Sequence, residues 1–242
     1  MSQKRSENTY QKINTIFKRD ANNIIMPYDD LSDPIFEYLR DCKFDCEEKI
    51  DGTNIRIELE WNGEDWSVSY KGKTDNAQIP KPLLAYLEFN YPLPKLVAAV
   101  GEQTDPIKYT FYGEGYGTGI QSGGYYCKGQ KFIGFDIKVN DTYLLRSNRD
   151  DIFNKLGCQI VPYIGSFTLE EAIEYVRQGF KSKIAEEEHN AEGLVCRTPL
   201  GLKNRRGERI IFKVKTCDWD KYKNKYGTYM PVEQEVNTHY ES

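Results

Sequence analysis

Asn54-Ile55-Arg56-Ile57-Glu58-Leu59-Glu60-Trp61, then Asn62-Gly63, then Trp66-Ser67-Val68-Ser69-Tyr70: the fold is read from this stretch. Its first part alternates apolar and polar side chains with the period of two that a half-buried strand needs. Asn-Gly is the strongest short hairpin signal, because both residues accept positive φ. After it, Trp66, Val68 and Tyr70 resume the alternation. Residues 54–71 are therefore expected to form an antiparallel hairpin.

Working outward, Phe132–Val139 reads as a further strand, and Gly193–Arg197 and Ile210–Lys215 as two late strands joined through a basic turn at Lys203–Gly207. Asn148–Leu156 is expected to be a short helix capped by Ser147 or Asn148 and stopped by Gly157. Thr168 with Glu171 three residues later makes a capping box. Leu169, Ala172, Ile173, Val176 and Phe180 then recur at helical spacing, which marks a scaffold helix with one core-facing stripe. The class is α+β, dominated by antiparallel strands.

The chain has 242 residues, 39% hydrophobic and 29% charged, with a net charge of −4. That is ample for a packed core and excludes a disordered chain or a bulk polycation. No run approaches the length of a membrane helix, so no membrane is expected. Cys42, Cys46, Cys127, Cys158, Cys196 and Cys217 are scattered with no CxxC pair, which fits reduced thiols and a cytoplasmic location. With His189 and His239 the only histidines, zinc hydrolysis and triad chemistry are poor fits. The charge is uneven: Lys203–Lys225 holds nine Lys or Arg against three Asp or Glu, a local +6 that leaves −10 on the remainder. Such a segment is either a solvated basic face or a site for an anionic ligand.

Gly72-Lys73-Thr74 resembles the end of a phosphate-binding loop, but Ser67 stands where that motif needs glycine. The run Gly113–Gly119 has GxGxGxG rather than GxGxxG spacing, and the strand–helix alternation of a dinucleotide fold is missing. One constellation survives. Glu48-Lys49-Ile50-Asp51-Gly52-Thr53-Asn54 immediately precedes the hairpin; by itself it reads as a surface turn. It is followed in order by Gly113-Glu114-Gly115, Gly134-Phe135-Asp136-Ile137, Glu192-Gly193-Leu194-Val195 and Lys213-Val214-Lys215.

These five motifs resemble the covalent nucleotidyltransferase superfamily of ATP-dependent ligases and mRNA capping enzymes, a likeness that reaches from about Tyr10 to Trp219. The Thr53-Asn54 ending is similar to RNA ligases of the bacteriophage RNA ligase 2 and RNA-editing type. The resemblance implies an antiparallel-sheet-rich adenylation domain, ATP-grasp-like, over residues 1–219, with 220–242 a basic, aromatic tail. It implies a ligase that joins RNA 5′-phosphate and 3′-hydroxyl ends, or a nicked duplex, through lysyl-AMP and AMP-capped RNA, with ATP and Mg²⁺ or Mn²⁺. A minimal DNA ligase and a non-catalytic nucleotide- or RNA-binding module are the alternatives.

On the same resemblance, Lys49 is the nucleophile, and Asp51 and Asn54 support the later steps. Glu48 and Ile50 lie beside adenine, Glu114 meets the ribose, Phe135 stacks on the base, Glu192 helps to hold metal, and Lys213 and Lys215 hold phosphate. The residue types suit the chemistry. Attack on phosphorus needs a neutral amine, which lysine supplies when cations or desolvation favour it. Lys213 and Lys215, two apart on a strand, share a face. The residues also have plainer readings: Phe135 alternates with the apolar Ile133 and Ile137, and Lys213 and Lys215 suit the wet face of a strand. Lys71 stands nearest to the arginine that the family carries after the hairpin; lysine keeps the charge but not the bidentate fork. The barrel or helical domain that follows in larger relatives is not expected within the tail, and a partner protein is one candidate to replace it. Arg205, Arg206, Lys221 and Lys223 are the candidate RNA contacts.

Overall fold

The computed structural model describes residues 9–27 and 31–227; the last part of the expected tail, 228–242, lies outside them. The order of elements is β1 (Asn14–Thr15), α1 (Ile35–Tyr38), β2 (Phe44–Glu48), β3 (Thr53–Trp61), β4 (Trp66–Lys71), α2 (Lys81–Asn90), α3 (Leu93–Val100), β5 (Ile107–Gly117), β6 (Gln130–Val139), β7 (Thr142–Tyr143), α4 (Arg146–Lys155), β8 (Tyr163–Phe167), α5 (Leu169–Gln178), β9 (Gly193–Arg197), β10 (Ile211–Lys215) and α6 (Thr216–Tyr226). They build two five-stranded sheets, ordered β1-β10-β9-β2-β8 and β4-β3-β5-β6-β7. Every pairing is antiparallel except the parallel contact of β1 with β10.

The expected hairpin is β3–β4. Trp61 faces Trp66, so the connection has four residues rather than two. The Asn62 side chain caps it by accepting the backbone N–H groups of Glu64 and Asp65, each at 2.8 Å. The alternation of the first strand is a burial alternation only in part. Ile55, Ile57 and Leu59 fill one face, yet Arg56 and Glu58 on the other are also buried, as an ion pair.

Each sheet has its own core. Phe44, Cys46, Leu194, Cys196, Phe212 and Val214 of the first pack on α5 and on Trp219 of α6. Ile55, Ile57, Phe111, Phe132 and Ile137 of the second pack on Leu83 and Leu87 of α2, Leu96 of α3 and Phe153 of α4. The capping box forms as expected, with Thr168 accepting from the Glu171 N–H and Glu171 reaching back. In contrast, α4 starts after Leu145 with no side-chain cap, two residues before Asn148, so neither Ser147 nor Asn148 caps it. Helices α2 and α3, absent from the sequence expectation, begin behind Pro80 and Pro92 with a proline in the first turn, where its missing N–H costs nothing. The boundary drawn at 219 falls inside α6.

Chain continuity then fixes where a site can lie. β2 belongs to one sheet and β3 to the other, so residues 49–52 cross between them.

Candidate active site

The crossing segment must press closely on β5. A Cβ on Gly52 would stand 2.2 Å from the Gly115 carbonyl oxygen, so only glycine fits. Beside it, the Asp51 N–H donates to the Tyr126 hydroxyl at 3.0 Å and the Lys49 N–H donates to the Gly193 carbonyl at 2.8 Å. Gly193 has φ +148°, and a Cβ there would meet the Val214 carbonyl oxygen at 2.0 Å. The two glycines thus let Lys49, just past β2, and Glu192, just before β9, approach each other.

Their side chains meet. Lys49 Nζ lies 2.5 Å from Glu192 Oε2, and Lys215 Nζ lies 2.8 Å from Glu192 Oε1. Lys49 and Lys213, two residues back from Lys215 on β10, line a cavity, whereas Glu192, Lys215 and Asp51 stand outside its lining. Burial, followed by the neighbouring Lys49 and Lys215, holds the Lys213 ammonium below its ordinary range. Burial also lowers Lys215, but the Glu192 carboxylate outweighs it and the net shift is upward.

A cavity of about 680 Å³ opens between the sheets at this point. Its walls include Glu47, Glu48, Lys49 and Ile50 from β2 and the crossing, Asn54 from β3, Glu114 from β5, Phe135 from β6 and Arg197 from β9. Asn54 Oδ1 is buried there without a hydrogen-bond partner among the described residues. The Glu114 carboxyl is pushed up to about 8, chiefly by burial; Lys49 opposes the rise and Glu192 and Asp51 add to it. Burial likewise raises Glu48, whose oxygens accept from the Ser182 hydroxyl and the Lys183 N–H. Phe135 is half-buried and lines the cavity, whereas Ile133 and Ile137 are fully buried.

Some expected residues lie elsewhere. Lys71 pairs with Glu58 at 3.0 Å in the Arg56–Glu58 cluster and is not a lining residue; the last position of β4 turns its side chain that way. Lys73, two residues on, does line the cavity. Arg56 sets that loop by donating to the Gly72 carbonyl at 3.0 Å and to Asp75 at 2.6 Å. Arg205 and Arg206 sit on the turn before β10, whereas Lys221 and Lys223 sit on α6 after it, at the other end of the strand. All four are exposed.

Sequence reasoning missed a layer of buried charge behind Phe135. Arg149 and Glu47 pair at 2.6 Å, each 1% exposed. Arg149 also donates to the Phe135 carbonyl at 2.7 Å. Asp136 receives Arg209 at 2.6 Å and the Tyr10 hydroxyl at 2.8 Å, and Tyr10 sets its ring edge-on to Phe135. Lys12 and Gln11 at the rim were missed as well. Asp136 stood inside a quoted motif, but nothing local marks its partners.

Among the described residues, no three of His, Cys, Asp and Glu come together as a metal cage, and no helix is long and apolar enough to cross a membrane. Glu192 offers a hard oxygen ligand beside the lysines. That suits Mg²⁺, which commonly takes one or two carboxylates with the rest of its shell from substrate phosphates and water.

A family profile described as RNA ligase matches residues 43–215, well over half of the chain. No curated protein matches. Among solved structures, a Naegleria gruberi RNA ligase variant with ATP and Mn is similar at 19% identity and TM-score 0.57, over 81% of this chain and 55% of that one. A second variant with ATP and Mn is 18% identical, TM-score 0.57, over 88% and 63%. The same ligase with PPi is 19% identical, TM-score 0.56, over 90% and 64%. This chain therefore spans 55% to 64% of the length of these three, and the likeness shows a shared α+β nucleotidyltransferase fold.

Proposed function

The chain belongs to the RNA ligase family, and we propose that it is an ATP-dependent RNA ligase whose nucleophile is Lys49. The observation that carries this reading is that Lys49, which lines a nucleotide-sized cavity with Lys213, pairs with Glu192, and Glu192 pairs in turn with Lys215.

In the first step the Lys49 amine attacks the α-phosphorus of ATP. An N–P bond forms, the bond to the bridging oxygen breaks, and pyrophosphate leaves. Lys49 must first leave Glu192 and lose its proton. In the second step an oxygen of the RNA 5′-phosphate attacks the same phosphorus and the N–P bond breaks. In the third the 3′-hydroxyl attacks the 5′-phosphate and AMP leaves. Lys213 and Lys215 stabilise charge on the transferring phosphate. Lys73 and Lys12 at the rim extend the cationic surface, and Lys73 takes the place expected of Lys71. Phe135, fixed by Arg149 and Tyr10, offers its ring to the base, and Glu114 meets the ribose. Asp51 and Asn54 serve the later steps. Glu192 would hold Mg²⁺ or Mn²⁺ together with the substrate phosphates, and the ion would supply neutralisation of phosphate charge. The adenylation unit on this reading is residues 1–219 together with the rest of α6, which runs past that boundary to Tyr226; RNA ends or a nicked duplex are the partner, with a second protein as a further source of RNA contacts.

The test is label transfer from α-labelled ATP with divalent metal, followed on a denaturing gel. Lys49→Ala is expected to abolish the adduct, and so is Lys49→Arg, whose guanidinium stays protonated. Full labelling of either variant overturns the reading. Sealing of nicked RNA in preference to nicked DNA is the expected substrate result.

A further inference from the structure

One segment outside the cavity holds the residues on both sides of Lys49. Residues 181–190 form a strap closed on itself by a bridge between Lys181 and Asn190 and by the Ser182 N–H on the His189 carbonyl at 2.9 Å. Its far end is tied to the turn at Tyr125 and Tyr126: the Glu186 N–H donates to the Tyr126 carbonyl and the Glu187 N–H to the Tyr125 carbonyl. The His189 ring stacks on Tyr125 with centroids 3.5 Å apart. Tyr126 in turn accepts the Asp51 N–H. Ile184 packs into the small core beneath Ile50, with Tyr126, Ile133 and Val161.

The near end of the strap grips Glu48. Ser182 donates its hydroxyl to Glu48 Oε1 at 2.5 Å, and the Lys183 N–H donates to Oε2 at 2.8 Å. The Ile184 N–H donates to the same hydroxyl oxygen at 3.3 Å, which turns the Ser182 proton toward Glu48. A carboxylate has about four acceptor sites. Two are taken by the strap, and Glu48 still lines the cavity, with Ile50 and Phe135 on the same walls. Glu48 thus keeps acceptor capacity beyond the two strap bonds, on a carboxylate whose orientation those bonds fix.

We propose that the strap sets nucleobase choice, with Ser182 as the positioning residue that aims the Glu48 carboxylate at an exocyclic amine of a purine. This rests on reading the cavity as the nucleotide site. A carboxylate accepts from the 6-amino group of adenine and opposes the 6-oxo group of hypoxanthine, where acceptor would meet acceptor. Ser182 does not line the cavity, so its effect passes through Glu48.

The experiment measures affinity for ATP and ITP by titration calorimetry on the full chain, with label transfer from both nucleotides in parallel. The parent is expected to favour ATP. Ser182→Ala is expected to lower the ATP-to-ITP ratio about tenfold, chiefly by weaker ATP binding, as one hydrogen bond to a charged group is lost. Ser182→Thr, which keeps the hydroxyl, is expected to keep the ratio. A strap with only a structural role would weaken both nucleotides alike, so an unchanged ratio in Ser182→Ala overturns the proposal. A parent that discriminates between the nucleotides but forms no adduct overturns the ligase reading and not this one. A parent that binds neither overturns both.

Discussion

Glu114 shows what a single residue contributes. In the unfolded chain its carboxyl titrates near 4.5, and in the fold burial moves it to about 8. A folded-state pKa above the unfolded one means that the native state holds the proton more tightly. The associated stability is fully present below 4.5 and is lost as pH rises through about 8. Glu114→Gln removes the titration. Thermal melts across this window are expected to show the parent losing stability relative to the variant as pH climbs; parallel curves would contradict the burial of Glu114. At neutral pH the protonated carboxyl both donates and accepts, which suits a ribose hydroxyl. Lys49, Glu114, Glu192 and Lys213 were legible because the motif order brought them forward together. Lys73 was not, because strand alternation cannot say where β4 ends and the loop begins. Lys12 and Arg197 were not, because each is one cation among many until the fold sets it at the cavity.

Strand β6 carries the next scale. Phe135 faces the cavity while its carbonyl and its neighbour Asp136 anchor a buried ionic layer that reaches α4 and the segment before β10. Removing Arg149 leaves the buried Glu47 carboxylate with Arg197 alone, at 2.9 Å, where two guanidinium groups had balanced it. Arg149→Met is therefore expected to cost about 3 kcal/mol of stability, measured by urea unfolding, and to loosen Phe135. A loss below about 0.5 kcal/mol, the size of an exposed pair, would contradict the layer's structural role. At this scale the hairpin, β6, the two late strands and the capped helix α5 were legible, since each rests on local periodicity or a local cap. Helices α2 and α3 were not read, because their prolines look like breakers unless they are recognised as first-turn residues. The ionic layer joins residues more than 60 apart in sequence, such as Phe135 with Arg197, and no local pattern encodes it.

Over the whole molecule, the two sheets with separate cores leave the site at their junction, where β2 passes into β3. The same topology divides the basic segment that sequence reading treated as one patch. Arg205 and Arg206 precede β10, and Arg206 and Lys12 line a second cavity of about 210 Å³. Lys221 and Lys223 lie past the other end of the strand. Neutralising the two pairs separately is expected to flatten the salt dependence of RNA affinity by about one for each phosphate contact removed. Self-adenylation should survive in both variants, since it needs only ATP and metal. If neither pair alters the salt slope, the RNA path lies elsewhere. The most direct measurement is peptide mapping by mass spectrometry after incubation with ATP and Mg²⁺. An AMP adduct on the peptide that holds Lys49, labile in acid as a phosphoramidate is, is the expected result. An adduct confined to Lys213, Lys215 or any other side chain, or no adduct at all, would contradict the assignment of Lys49 as the nucleophile.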